Sequence, residues 1–245
     1  MNDISKPILK ILVAGGCHVF GYPIGKEYAF TSIAARRLSA WADVQMDCVR
    51  ANANLSGVIV DSLIGRPADV VVLQIGNLEC PMHVRRHFYK RFRKKSGSGG
   101  GSGGGADLVK VASDEVYAPS PRARLKILDR IAYNLVVIVL RRPLYDPENF
   151  RTDYGCLLDN IAETGVPMVI AISPLPCVDS MHMHYRLRGA KLVCQAAESR
   201  GMLYLDSAQA LGGARTSQAH GLHCHVLHLG REGQRLLGES PGPYG

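Results

Sequence analysis

Short apolar runs alternate along the chain with longer stretches in which apolar residues recur every three or four positions. The short runs are "PILKILVAGG" (7–16), "DVQMDCVRA" (43–51), "ADVVVLQIG" (68–76), "VPMVIAISP" (166–174) and "MLYLDSA" (202–208). Rich in Val, Ile and Leu and bounded by Gly, Pro, Asn or Ser, they predict five β-strands. Between the first two, "IGKEYAFTSIAARRLSAWA" (24–42) puts Phe30, Ile33, Ala34 and Leu38 on one helical stripe. Further helices are expected at about 58–65, 147–164, 182–199 and 230–239. Strands that are apolar on both faces and separated by helices argue for a parallel sheet covered on each side. The predicted fold class is α/β, a three-layer α/β/α sandwich around a five-stranded parallel sheet, in a single domain over 1–245.

Residues 80–146 interrupt this alternation and predict a helical cap inserted over one end of the sheet. Within it "SGSGGGSGGG" (96–105) has the composition of a flexible linker and resembles nothing on either side. It reads as an engineered replacement for a loop. The insertion opens with a basic run in which seven of the eleven residues 85–95 are Lys or Arg: Arg85, Arg86, Lys90, Arg91, Arg93, Lys94 and Lys95. Much of the formal net charge of +8 arises there, so the positive field is local and suits phosphate groups or an acidic protein surface, if it is more than a solvated helix face. Interleaved Phe88, Tyr89 and Phe92 are compatible with base stacking, but no nucleic-acid module accompanies them and nucleic acid is not the expected partner.

A chain of 245 residues, 47% of them hydrophobic, is long enough for a substantial core. Its longest uninterrupted apolar stretch, "LVVIVL" (135–140), is far short of the roughly 20 residues that cross a bilayer. The first residues, "MNDISKPILK", lack the basic and apolar regions of an export signal, and the seven cysteines follow no disulfide framework. The expected setting is cytoplasmic, with reduced thiols.

The ends of the strands carry the candidate chemistry. "GGCHVFGYP" (15–23) follows the first strand, "NANLSG" (52–57) the second and "QIGNLE" (74–79) the third, and "HVLHLGREGQRLLGE" (225–239) leads into the last helix. In this order they resemble the SGNH, or GDSL-type, hydrolase family over about 8–78 and 165–239. The resemblance implies a flavodoxin-like sheet and acyl chemistry without a cofactor. It implies that Cys17 stands in place of the nucleophilic serine and His228 in place of the catalytic histidine. It further implies an oxyanion hole made by the Cys17 and Gly57 amides and the Asn77 side chain. Three positions depart: Gly16 and His225 stand where the family has aspartates, and Gly76 directly precedes Asn77.

Those departures are chemically consistent. A serine must lose its proton during attack, so an aspartate that supports the imidazolium matters greatly. A thiol starts near pKa ~8.5 and can be ionised beforehand, so the third member is less necessary. A neutral His225 can still accept a hydrogen bond from His228.

The expected activity is acyl transfer or hydrolysis through a Cys17 thioester with His228 as base, on an acyl ester or thioester. An acidic, phosphopantetheine-bearing acyl carrier protein fits the basic run as donor. Other readings stay open. Cys17 is also what a small buried hydrophobe or an engineered Ser-to-Cys replacement looks like. Asn77 can hold a turn and His228 can be structural. The chain can equally be a noncatalytic relative that binds an acyl or carbohydrate ligand in the same crevice. The dense "HGLHCHVLH" (220–228) and "MHMHY" (181–185) raise a zinc-binding alternative, but no helical H-E-x-x-H is present, the spacing is not that of a zinc finger, and no metal site is expected.

Overall fold

A computed structural model describes residues 6–53, 56–77, 79–80, 147–178, 180–213, 222–225 and 228–240. The chain divides into two compact units, Met1–Met82 with Tyr145–Gly245, and His83–Leu144. All the described elements belong to the first unit. The predicted cap, its linker and the basic residues Arg85, Arg86, Lys90, Arg91, Arg93, Lys94 and Lys95 lie outside the described residues, apart from Cys80 at the first position of the insertion.

The strands are β1 (Ile8–Gly15), β2 (Asp43–Arg50), β3 (Val70–Gln74), β4 (Met168–Ile172) and β5 (Leu203–Leu205). They form one sheet in the order β2-β1-β3-β4-β5, every neighbouring pair parallel. The helices are α1 (Phe30–Leu38), α2 (Ser56–Gly65), α3 (Pro147–Glu163), α4 (Ser180–Glu198), the short α5 (Ser207–Ala210) and α6 (Arg231–Glu239). A two-stranded antiparallel hairpin, β6 (His223–His225) and β7 (His228–Leu229), leads into α6.

Alternation along the strands sends side chains to two cores. Leu12, Ala14, Leu73 and Ala171 pack with residues of α2, α3 and α4, such as Ile59, Leu157 and Val193. Ile11, Val13 and Ile172 pack with Phe30 of α1 and Leu237 of α6. The result is the three-layer α/β/α sandwich with a five-stranded parallel sheet that the apolar pattern predicts. β2 departs from the expectation of burial on both faces. It is an edge strand in which exposed Asp43, Gln45 and Asp47 alternate with part-buried Val44, Met46 and Cys48.

The helix expected over 24–42 is also shorter than its periodicity suggests. A 3-10 turn at Lys26–Tyr28 is followed by extended backbone at the fully buried Ala29 (φ −61°, ψ 142°), and α1 starts only at Phe30. There the Phe30 amide donates to Gln234 Oε1 of α6 at 2.9 Å. A helix start needs partners for its first amides, and a side chain from the neighbouring helix supplies one here. Among the described residues no helix is long and apolar enough to cross a membrane.

Candidate active site

In open parallel α/β sheets, ligands bind beyond the carboxyl ends of the strands, and the candidate residues gather at that edge. β1 ends at Gly15, where an added Cβ would stand 2.5 Å from the Gln74 carbonyl oxygen, so the approach of β1 to β3 requires glycine. Cys17–Phe20 then form a single 3-10 turn, closed by Gly21 (φ +72°), whose amide donates to the His18 carbonyl at 3.1 Å. Thr31 of α1 fixes this turn by donating its hydroxyl to the Val19 carbonyl at 2.9 Å. Cys17 and His18 are both buried, 5% and 1% exposed, and Cys17 Sγ lies 3.6 Å from His18 Nδ1.

Asn77 arrives from the end of β3. The preceding Gly76 has φ +104°, and a Cβ there would meet Pro174 Cγ at 2.7 Å. Asn77 Oδ1 accepts the Leu175 amide at 2.6 Å, which fixes the orientation of its side-chain amide. Its Nδ2 consequently faces His18 Nδ1, at 3.4 Å. Glu79, buried, clamps the loops after β2 and β3, accepting the Ala53 amide on Oε1 (3.2 Å) and the Gly76 amide on Oε2 (2.9 Å). Arg186 of α4 is 3% exposed and donates to the carbonyls of Leu175 (2.7 Å), Pro176 (3.4 Å) and Asn77 (3.4 Å). The loops after β3 and β4 are thus held together by a buried cation that donates to backbone carbonyls of both.

The β6–β7 hairpin brings His228. Its register sets His225 against His228. The His228 ring, buried, stacks on His18 with centroids 5.2 Å apart and 27° between planes, and meets the edge of Tyr22 at 5.3 Å. The Leu229 amide donates to His18 Nε2 at 3.4 Å. Burial, reinforced by His228, Arg186 and His223, holds the His18 pKa well below the usual histidine value, so this ring is neutral at neutral pH. Burial, then the nearby Cys17 and Cys224, raises the Tyr22 hydroxyl above its usual range. Cys224 is likewise pushed up by burial.

Cys17, Asn77 and His228, far apart in sequence, therefore each contact the His18 ring. Gly57 is exposed in the first turn of α2 and lines a cleft with Val60, Leu63 and Ile64. The His225 side chain lies outside what is described. Gly16 has open space, since a Cβ there would meet nothing within 4 Å, so sterics do not explain the absence of an aspartate. Sequence reasoning assigned no role to His18, Glu79 or Arg186. The available signals were the polar residue directly after Cys17 and the carboxylate two residues beyond Asn77. Among the described residues, no group of three or more His, Cys, Asp or Glu side chains could hold a metal ion.

No family model and no curated protein matches the chain by sequence. Solved structures do match over nearly its whole length. A protein of the G-D-S-L family from Desulfitobacterium hafniense shares 15% identity at a TM-score of 0.58, with 94% of this chain and 96% of that one aligned. A catalytic mutant of Axe2, an acetylxylan esterase from Geobacillus stearothermophilus, gives 13% identity and a TM-score of 0.57 over 97% of this chain and 93% of that one. TesA gives 9% and 0.58 over 94% of each. At these identities it is the architecture that is shared: the chain has the fold of G-D-S-L-type esterases.

Proposed function

We propose that the protein transfers or hydrolyses acyl groups through a thioester on Cys17. The observation that carries this reading is the convergence of Cys17, the Asn77 side-chain amide and His228 at the carboxyl edge of the sheet, around the buried His18 ring. The esterase named among the structural neighbours supports an acyl ester as substrate class.

The Cys17 thiol passes its proton to an imidazole nitrogen of His228, and the thiolate sulfur bonds to the substrate carbonyl carbon. The carbonyl π pair moves onto oxygen, where N–H donors stabilise it. Asn77 Nδ2 is one donor, and the Cys17 and Gly57 amides are the others this reading assigns. The tetrahedral intermediate collapses by breaking the bond to the alcohol or thiol, which leaves with the proton from His228. Water or another acceptor then attacks the thioester and returns a proton to His228. The Cys17 thiolate departs as the acid or the transferred ester forms, and is reprotonated. With cysteine as nucleophile the charge separation precedes attack, which suits a site whose third member is His225 and not a carboxylate. A thioester also favours amine or thiol acceptors over water more than an oxygen ester does, which favours transfer. The basic run at 85–95 makes an acyl thioester on an acidic carrier protein the donor to try beside small esters.

The test is intact mass measurement after mixing with p-nitrophenyl acetate and with short-chain acyl thioesters. An adduct of acyl mass that maps to Cys17 and is lost in Cys17→Ala is expected, with turnover reduced roughly a thousandfold or more. Turnover that survives in Cys17→Ala, or no adduct from any donor, overturns the proposal and leaves ligand binding as the better reading. Partition of the adduct between water and added amines, thiols or alcohols separates hydrolase from transferase.

A further inference from the structure

Hydrogen-bond accounting around His18 is over-subscribed, and resolving it gives the ring a role. A neutral imidazole has one donor nitrogen and one acceptor nitrogen. Yet both nitrogens of His18 face donors: the Leu229 amide at Nε2 and the Asn77 side-chain nitrogen at Nδ1, each at 3.4 Å. The Leu229 amide can only donate. Asn77 cannot be turned to offer its oxygen, because Oδ1 is engaged at 2.6 Å by the Leu175 amide. The conflict falls on Asn77, whose Nδ2 carries two hydrogens and keeps a second donor when the contact with the ring is lost, whereas the Leu229 amide has a single N–H and no alternative. Nε2 is therefore the acceptor and Nδ1 carries the hydrogen. Among the described residues, Nδ1 also faces Cys17 Sγ, at 3.6 Å.

We infer that His18 is a positioning residue for the nucleophile: as the Nδ1–H tautomer it donates to Cys17 Sγ, favours the thiolate, and leaves the Asn77 amide to serve the oxyanion. This deepens the acyl-transfer reading and rests on it for its catalytic meaning, although the hydrogen bond itself does not. The stacking of the two rings divides their labour. At a centroid separation of 5.2 Å, one positive charge on the pair disfavours a second. His18, buried and facing Arg186 as well, stays neutral as the donor. His228 is left as the ring that carries the thiol's proton. The other titratable groups disposed around this cluster are Tyr22 from the same turn, His223 and Cys224 from β6, and Arg186 from α4.

Two measurements test this on the whole chain. The first is the rate of iodoacetamide alkylation of Cys17 against pH, followed on the Cys17 peptide by mass spectrometry, in the unaltered protein, His18→Leu and His18→Asn. His18→Leu should move the midpoint up by about one pH unit or more. His18→Asn, whose side-chain N–H reaches nearly the place of Nδ1–H, should recover most of that shift. The second is the nitrogen NMR spectrum of histidine-labelled protein, in which the His18 resonances, assigned by their loss in His18→Asn, should be those of a neutral Nδ1–H ring at pH 7. A ring found as Nε2–H or as imidazolium overturns the inference, even if His18→Leu does not fold. So does an unshifted midpoint in folded His18→Leu, a failure of Asn to rescue, or a Cys17 that iodoacetamide never reaches. A shifted midpoint in a protein that forms no acyl adduct would instead sustain the hydrogen bond while sinking the acyl-transfer reading.

Discussion

The two ends of the sheet are built on opposite terms. Beyond the carboxyl ends of the strands, His18, Gln74, Asn77, Glu79, Ser173, Arg186, Ser207 and His228 are all buried. Removing such groups from water is costly unless each is partnered, and most are: Ser173 and Ser207 share a 2.8 Å hydrogen bond, Glu79 holds two amides, and Arg186 holds three carbonyls. At the amino ends, Pro67, Ala68 and Asp69 lead into β3 and Thr164–Pro167 into β4, and with the exposed Ile64 they line a cleft that runs along α2 as far as Gly57. Polar contacts there, such as Lys10 N to Asp69 Oδ2 at 2.8 Å, stay in solvent. A solvated hydrogen bond at one end and a desolvated network at the other contribute to folding in different ways, and only the second holds side chains at fixed positions in a low dielectric. That is what a site for polar chemistry requires. Even there some atoms are left over: neither the amide nitrogen nor the amide oxygen of the buried Gln74, nor Nε of Arg186, has a hydrogen-bond partner among the described residues.

The largest effect that would sharpen this contrast is chemical. With His228→Ala, acylation of Cys17 should slow by roughly a hundredfold or more, the usual range for a positioned base. In the unaltered protein the acylation rate should trace a bell against pH, rising as the thiolate forms and falling as His228 loses its proton, with limbs that belong to the coupled pair. Stopped-flow acylation by p-nitrophenyl acetate from pH 5 to 10 measures both. A single rising limb that is the same in His228→Ala would break the assignment of His228.

Next in size is the clamp. Glu79→Gln keeps the volume but turns one of the two acceptors into an NH2 group opposite a buried amide, and an unmet buried donor costs about 1–3 kcal/mol. Urea denaturation should record that loss, and acylation should slow because the Ala53 and Gly76 backbones are no longer held to one carboxylate. Unchanged stability would show that the loops after β2 and β3 do not depend on Glu79.

A pH dependence of stability comes third. The folded state depresses the pKa of His18, so the unfolded chain binds the proton more readily. The contribution of this neutral ring is complete above about pH 6.5 and is lost as pH falls, by about 1.4 kcal/mol for each unit until the folded value is reached. Urea midpoints at pH 7.5 and 5.5 should therefore fall further in the unaltered protein than in His18→Leu. An equal fall in both would mean that other groups carry the acid sensitivity.

The ends of the sheet also differ in how far the sequence reveals them. β1, β3 and β4 are legible because their residues are apolar on both faces, whereas β2 is legible as a strand but not as an edge, because the expectation of burial on both faces passes over its alternation. Cys17, Asn77 and His228 stand out because each closely follows a predicted strand or leads into the last helix. The start of α1 is not legible, since it depends on Gln234, 204 residues away. Nor are the site's supports: the contacts of Asn77 with His18, of Glu79 with Ala53 and of Arg186 with Asn77 span 59, 26 and 109 residues. Periodicity reports which face a residue occupies. It carries no information about which partner it finds across the sheet.

The smallest expected effect lies outside the buried network. Arg66 follows α2 on the approach to β3, and its Nη1 sits 3.3 Å from Asp47 Oδ2, with the two side chains 80% and 58% exposed. An exposed pair gains little in water and pays entropy to hold two mobile chains together, so such pairs contribute about 0–1 kcal/mol. Arg66→Ala should therefore shift the urea midpoint only slightly, and the shift should shrink further when ionic strength is raised from 0.05 M to roughly 0.5 M, where screening acts within several ångströms. The acylation rate of Cys17 should not change, because no part of the His18 cluster touches this pair. If Arg66→Ala instead cost as much as Glu79→Gln and the loss resisted salt, solvated and desolvated polar contacts would be contributing alike. The contrast between the two ends of the sheet would then not reflect burial.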